Sequence, residues 1–340
     1  MKAAMYYNNN DVRIEEMPRP VIGPGELLVK VASSGICGSD VLEWYRLKKA
    51  PLVLGHEIAG IIEETGNGVT KYKKGDRVFV SHHIPCNTCR YCLSGNHTVC
   101  ETLHTTNFFP GGFAEYLRVP PLNVDRGVFI LPEEISFDEG VFIEPLACVI
   151  RGQRISRLLP GESVAILGSG ISGLLHLVAA RAFGAGRIIM TDISPYRLKT
   201  ALDNGADAAL DARKPGLEAE LAKLNGGRLF DQVIISTGAI SAFKQALKLV
   251  DRGGKVLFFA APEPGVALPV PVAEFWRNGI TLLPSYGNSP LDAVQAIELI
   301  RSKRVMVDQF ITHRLGLAEA AKGFQMVAGA GECVKVVIKP

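Results

Sequence analysis

The fifteen residues from Cys86 to Cys100, CNTCRYCLSGNHTVC, contain four cysteines separated by gaps of two, two and seven residues. Thiolates this dense hold a metal ion, an iron–sulfur cluster or each other. The bacterial ferredoxin pattern C-x2-C-x2-C-x3-C-P matches the first two gaps, but the third differs and no proline follows Cys100. A nucleic-acid zinc finger separates two ligand pairs by a dozen or more residues with a reading helix between them, which this segment lacks. The spacing therefore predicts zinc on Cys86, Cys89, Cys92 and Cys100. Four protein ligands close a tetrahedral site and leave no position for substrate, so this zinc is expected to be structural.

Chemistry then needs another centre. Cys37 in GICGSD, His56 and Glu57 in GHE, and Glu144 in FIEPLAC supply a soft thiolate, an imidazole and two carboxylates. One thiolate, one imidazole and one carboxylate make an open zinc site, with a fourth position for water or substrate.

A third constellation is Gly168-Ser-Gly170-Ile171-Ser-Gly173, directly after the apolar run SVAILG and before LLHLVAARAFGA. Between a strand and a helix this is a dinucleotide fingerprint. Gly168 makes the tight turn, Gly170 admits the pyrophosphate, and Gly173 lets helix and strand pack closely. Ile171 lies within this turn, and the helix that follows offers unpaired N–H groups to the phosphates. Asp192 follows Gly173 by nineteen residues, at the end of the next apolar run. A carboxylate there accepts from the ribose 2′-hydroxyl and repels a 2′-phosphate, which favours NAD over NADP. Arg197 is either a brace for the adenosine or a surface arginine.

The rest of the chain must position these groups. At 340 residues two domains are expected. The 47% hydrophobic and 21% charged content suits a globular chain, and a net charge of +3 without a basic block gives no support for nucleic-acid or membrane-surface partners. The start MKAAMYYNNNDVRIEE lacks the apolar core of a secretory signal, and no run of about 20 residues suits a bilayer. Seven cysteines, an odd number, fit reduced thiols in the cytoplasm.

Up to about residue 150 the pattern is short β-rich runs cut by Gly, Pro and Asn-Gly. From Gly161 apolar strands (SVAILG, RIIMTD, FDQVIIST, GGKVLFFA, GITLLPS) alternate with helices starting near Gly173, Tyr196, Leu217 and Ser241. That alternation implies a parallel sheet covered on both faces. A last helix, DAVQAIELIRSK, and a strand, CVKVVIK, are expected to return to the first domain.

On GICGSD, GHE, the four-cysteine loop, GGFAEY, EPLA and GSGISG with Asp192, the whole chain resembles the zinc-dependent medium-chain alcohol dehydrogenases. The similarity is to the branch with sorbitol and threonine dehydrogenases. The resemblance implies an α/β protein: a chaperonin-10-like β catalytic domain at 1–149 and 286–340, carrying the structural zinc loop 86–100, and a Rossmann NAD-binding domain with a doubly wound parallel sheet at 150–285. The active site is expected in the cleft between them. Cys37 and His56 would bind the catalytic zinc, with Glu57 and Glu144 as alternative carboxylate ligands. Ser39 would take the alcohol proton towards the cofactor ribose. The implied reaction is reversible, NAD-linked oxidation of a secondary alcohol or polyol to the ketone. The alternative is an amino alcohol such as L-threonine, and a non-catalytic relative would be marked by loss of Cys37 or GHE. A homodimer or homotetramer joined at Rossmann sheet edges is implied as well.

Two departures stand out, at Leu42 and at Ser285-Tyr286. Many relatives carry a histidine five residues after the zinc cysteine as the last proton carrier, and here that residue is Leu42. His83, in HHIPC, resembles a histidine near the substrate in threonine dehydrogenases. Sorbitol dehydrogenases place an arginine before a tyrosine where this chain has Ser285-Tyr286, which weakens polyol recognition. Trp44, Phe108 and Phe109 are candidates to line the pocket with an apolar side, and Cys148 and Cys333 are expected to be packing residues.

Overall fold

The computed structural model describes residues 1–340. The chain forms two compact units, Met1–Ala147 with Gly287–Pro340, and Cys148–Tyr286.

In the first unit the main sheet runs in the order Ile311–Gly316, Lys335–Lys339, Leu27–Gly35, Glu57–Thr65, Arg77–Val80, Val128–Ile130, with Tyr116–Val119 also paired to Leu27–Gly35. Side chains alternate across a strand. Leu27, Val29 and Val31 therefore share one face, where they pack with Ile58, Ile62, Val78, Val80 and Leu117 in a buried cluster. Each such side chain contributes about 1.5–3 kcal/mol by leaving water. A second sheet, Asp11–Glu16, Lys2–Asn8 and Leu52–Val53, lies on a separate cluster that includes Tyr6, Phe113 and Phe324.

Register matters most at one corner of this unit. Gly35 is opposite Glu57 in the antiparallel pair of Leu27–Gly35 and Glu57–Thr65, and opposite Val337 of the last strand. GICGSD, GHE and the C-terminal strand thus meet through ladder hydrogen bonds between residues far apart in sequence.

The second unit is a six-stranded, all-parallel sheet in the order Ala208–Asp211, Ile188–Asp192, Val164–Leu167, Phe230–Ile235, Val250–Phe258, Thr281–Pro284. Val164–Leu167 is buried along its whole length, as expected of a strand covered on both faces. The helices Ile171–Ala182, Pro195–Asp203, Leu217–Leu224 and Ile240–Leu249 alternate with the strands.

Some elements had no clear sequence signal. The edge strand Ala208–Asp211 buries fully only Leu210, so ADAALD shows no apolar run. The strand containing GGKVLFFA starts earlier, at Val250, because a register shift opposite Phe230 and Gln232 and a left-handed Gly253 (φ +72°) carry it past the glycine pair. Helices Val272–Asn278 and Ala320–Gly329 were also not foreseen. No helix is long and apolar enough to cross a membrane.

Candidate functional site

The cysteine loop winds through a short helix, Arg90–Leu93, a 3-10 turn, His97–Val99, and a second helix, Glu101–Thr105. Those turns point all four sulfurs inward, and the Cys86, Cys89, Cys92 and Cys100 Sγ atoms lie within 4.8 Å of one another. Cys92 Sγ is 3.9 Å from Cys86 Sγ and 3.6 Å from Cys89 Sγ. A tetrahedral ion with metal–sulfur bonds of about 2.3 Å needs sulfur–sulfur edges of about 3.8 Å. The donor set fits zinc. Hydrogen bonds from Thr88 and the N–H groups of Thr88 and Cys89 push the Cys86 thiol down to about 5, while burial pushes Cys92 up to about 12. Four ionised thiols at this spacing would repel one another, and a bound dication would compensate them.

The second centre is built by one local turn and two sheet ladders. After Leu27–Gly35 ends, Cys37 caps the 3-10 turn Gly38–Val41: its Sγ accepts from the Ser39 N–H at 3.4 Å, and the Asp40 carboxylate accepts from the Cys37 N–H at 3.1 Å. His56 and Glu57 arrive on the next strand after Gly55, which sits at φ +93° with a Cβ position only 2.9 Å from the Phe113 nitrogen. Only glycine fits that corner. Cys37 Sγ, a His56 ring nitrogen and a Glu57 oxygen lie within 4.8 Å of one another. Three donors of these types leave a fourth tetrahedral position, so the set fits an open zinc site.

Two supporting residues were missed by sequence reasoning. Asp40 is fully buried, and its Oδ1 lies 3.3 Å from His56 Nδ1. A carboxylate on Nδ1 orients the ring and leaves Nε2 for a metal. Burial opposes a charged imidazole, but Asp40 and Cys37 outweigh it and raise the His56 pKa well above its ordinary value. Metal binding at Nε2 therefore competes with a proton. The signal was present in GICGSD, where the aspartate sits three residues after the cysteine.

Lys335 is the other. It is fully buried, as is Glu57 at 1% exposure, and its Nζ forms an ion pair with Glu57 Oε2 and donates to the Ile36 carbonyl at 3.3 Å. Gly35 leaves the space, since a Cβ there would overlap the Glu57 carboxylate and the Lys335 stem. The lysine between Val334 and Val336 in the apolar run CVKVVIK was the sequence clue, and nothing local names its partner.

Glu144 is not among the clustered donors. It lies in the first turn of helix Ile143–Ile155, 6% exposed, and its Oε1 accepts from Asn288 Nδ2 at 3.2 Å. Ser39 Oγ and backbone oxygen both accept from Arg46, at 3.1 and 2.9 Å. Leu42 is 37% exposed. The His82 ring lies 4.8 Å from that of His56 and 3.8 Å from that of His83, and burial pushes His83 down to about 3. Phe108 is a core residue at 3% exposure, Phe109 is half exposed, and Trp44 packs on Tyr45. Cys333 is buried in the cluster around Phe324, and Cys148 is half-buried.

In the second unit Gly168 turns at φ +100°, and a Cβ on Gly173 would overlap the Gly168 carbonyl oxygen. Helix Ile171–Ala182 begins at Gly170 with no side-chain cap, so its first N–H groups are available to an anion. The nearest group to a Cβ built on Gly170 is Arg197 Nη1, at 3.8 Å. Asp192 is 8% exposed and accepts from the Ser169 N–H at 2.7 Å and the Ser194 N–H at 2.9 Å. It clamps the glycine turn. The turn fits a dinucleotide.

Comparison with known proteins agrees with this arrangement. Residues 23–126 match the alcohol dehydrogenase GroES-like domain family, and residues 172–302 match the zinc-binding dehydrogenase family. The chain is 33% identical to a sorbitol dehydrogenase of Bacillus subtilis (strain 168), covering 100% of this chain and 97% of the relative. It is 34% identical to an L-threonine 3-dehydrogenase of Bacillus velezensis, covering 96% and 95%. A solved structure from Sinorhizobium meliloti 1021, bound to NADP, superposes with a TM-score of 0.89 at 29% identity, covering 100% of this chain and 99% of that one.

A GroES-like β unit joined to a Rossmann-type parallel sheet, with donor sets that fit zinc in the first and a turn that fits a dinucleotide in the second, defines an oxidoreductase acting on CH–OH groups. The chain belongs to the zinc-dependent medium-chain alcohol dehydrogenase family, whose cofactors are zinc and NAD(P).

Proposed function

We propose that this enzyme oxidises a secondary alcohol or polyol with NAD, reversibly to the ketone. The reading rests on one observation above all: three donors of the right types, Cys37, His56 and Glu57, converge within 4.8 Å with a coordination position to spare. Zinc held there would polarise the substrate oxygen, and a nicotinamide would accept the hydride. The chain's own groups do the rest. Asp40 fixes the His56 ring, Lys335 balances the Glu57 charge, Ser39 takes the alcohol proton, and Glu144 stands by as the alternative carboxylate. In the cysteine loop a second zinc on Cys86, Cys89, Cys92 and Cys100 keeps the fold.

Gly168, Gly170, Ile171 and Gly173 would hold the pyrophosphate, Arg197 would brace the adenosine, and Asp192 would select NAD by repelling a 2′-phosphate. Similarity to a sorbitol dehydrogenase over the full length supports the substrate class. An amino alcohol is the second reading, favoured by the equally similar threonine dehydrogenase and by half-buried His83 beside the His56–His82 pair. The edge strand Thr281–Pro284 and nearby Trp276, 84% exposed, support a homo-oligomer joined at that edge, and the odd number of cysteines supports a cytoplasmic location.

The test is NADH formation at 340 nm with polyols, secondary alcohols and L-threonine, each with NAD or NADP and with or without a chelator. Chelator-sensitive turnover of an alcohol with NAD is expected. Turnover that survives complete removal of zinc from the Cys37 centre would sink the proposal.

A further inference from the structure

Leu42 leaves the proton route without an imidazole, and the structure puts a different group against the hydroxyl that starts it. Arg46, at the end of the short helix Glu43–Arg46, folds back over the turn that carries Ser39. Its Nε donates to the Ser39 carbonyl at 2.9 Å, and its Nη2 donates both to Ser39 Oγ at 3.1 Å and to Asp40 Oδ1 at 3.2 Å. The guanidinium carbon sits 4.7 Å over the Tyr45 ring, and the side chain is 13% exposed. One fork therefore grips the backbone, the hydroxyl and the carboxylate behind His56. A lysine, with a single point charge, cannot reproduce that grip.

We propose that Arg46 is a positioning residue for the proton transfer at Ser39, an inference that rests on the reading of Ser39 given above. A serine oxygen has two lone pairs and one hydrogen. Arg46 takes one lone pair, which leaves the second to accept the substrate's hydroxyl proton while the serine's own hydrogen passes onward. A bound nicotinamide would take the hydride, and the remaining proton leaves the protein for water. Arginine has no acceptor and keeps its charge at any working pH, so the relay cannot continue into Arg46. Its fixed positive charge favours the half of the relay in which the serine releases its own hydrogen and negative charge develops on Oγ.

The test is a mutant cycle of Ser39→Ala, Arg46→Ala and the double variant, with zinc content, NADH dissociation constant and steady-state rates measured for each. Arg46→Ala should lower kcat about tenfold, a fraction of the roughly 10²–10⁴ that the proton-transfer group itself contributes. KM, zinc content and NADH affinity should stay at wild-type values. On the Ser39→Ala background the second substitution should have no further effect, and added guanidinium should restore part of the Arg46→Ala rate but none of the double variant's. Wild-type turnover in Ser39→Ala removes the relay reading and this inference together. If Ser39→Ala is impaired but the Arg46 effect is additive, or tracks zinc loss, the inference alone falls.

Discussion

The two donor sets of the first unit that fit zinc are built on opposite principles. The loop set comes from one fifteen-residue stretch, consists of four thiols, and is closed. The other set comes from two segments, mixes three donor types and stays open, and its carboxylate is held by a lysine 278 residues away in sequence. A closed set of local donors can form as soon as the loop folds, and contributes stability. An open set exists only after the sheet is assembled, so its residues need outside support. Openness is what chemistry requires, and long-range support is the consequence.

If this contrast is right, the largest effect should come from Cys89→Ser. Structural zinc binding contributes apparent free energies of about 10–16 kcal/mol in small zinc domains, so losing it should unfold the loop. Zinc analysis should show one ion lost, and thermal melting should show a large drop. Retention of both ions with an unchanged melting temperature would break the distinction.

Next in size is Lys335→Met, which leaves Glu57 as an unpaired charge in the interior. Breaking a buried pair in this way costs about 3–5 kcal/mol, read as a fall in the urea midpoint. Lys335→Met combined with Glu57→Gln should recover most of that loss. A double variant as unstable as the single one would show that the lysine stabilises by packing instead.

Asp40→Asn should be milder. Loss of the carboxylate behind a ligating histidine typically weakens metal binding about 10–100-fold, and competition with a chelator would measure it. The loop zinc should be untouched, and equal weakening of both ions would contradict the separation of the two sites.

The smallest effect concerns protons. Burial keeps Cys92 protonated at neutral pH by raising its pKa to about 12, so zinc entering the loop must displace that proton. Below that pKa each zinc bound displaces one proton from Cys92, so proton concentration opposes zinc binding. Apparent zinc affinity of the loop should therefore drop by at least about tenfold per pH unit on acidification, as followed by titration calorimetry in two buffers. No dependence on buffer ionisation would show that the thiols ionise before the metal arrives.

How far the sequence reached follows the same division. The cysteine loop, the glycine turn and the alternating strands and helices were readable because each is written in neighbouring residues at a fixed period or gap. The edge strand Ala208–Asp211 was not, since an edge strand buries too little to leave an apolar run. Asp40 was in view within its motif, but its bond to His56 depends on where a different strand ends. Arg46 looked like one charge among several in WYRLKK, and only the fold turns it back onto Ser39.

By itself, then, the sequence determined which atoms are available for zinc, phosphate and proton transfer, because ligand chemistry depends on residue type and close spacing. Only the tertiary structure decided which of them have fixed partners. Lys335 meets Glu57 because the last strand pairs beside Leu27–Gly35 in one register. That pairing joins strands from distant parts of the chain, and no local pattern of residues could have specified it.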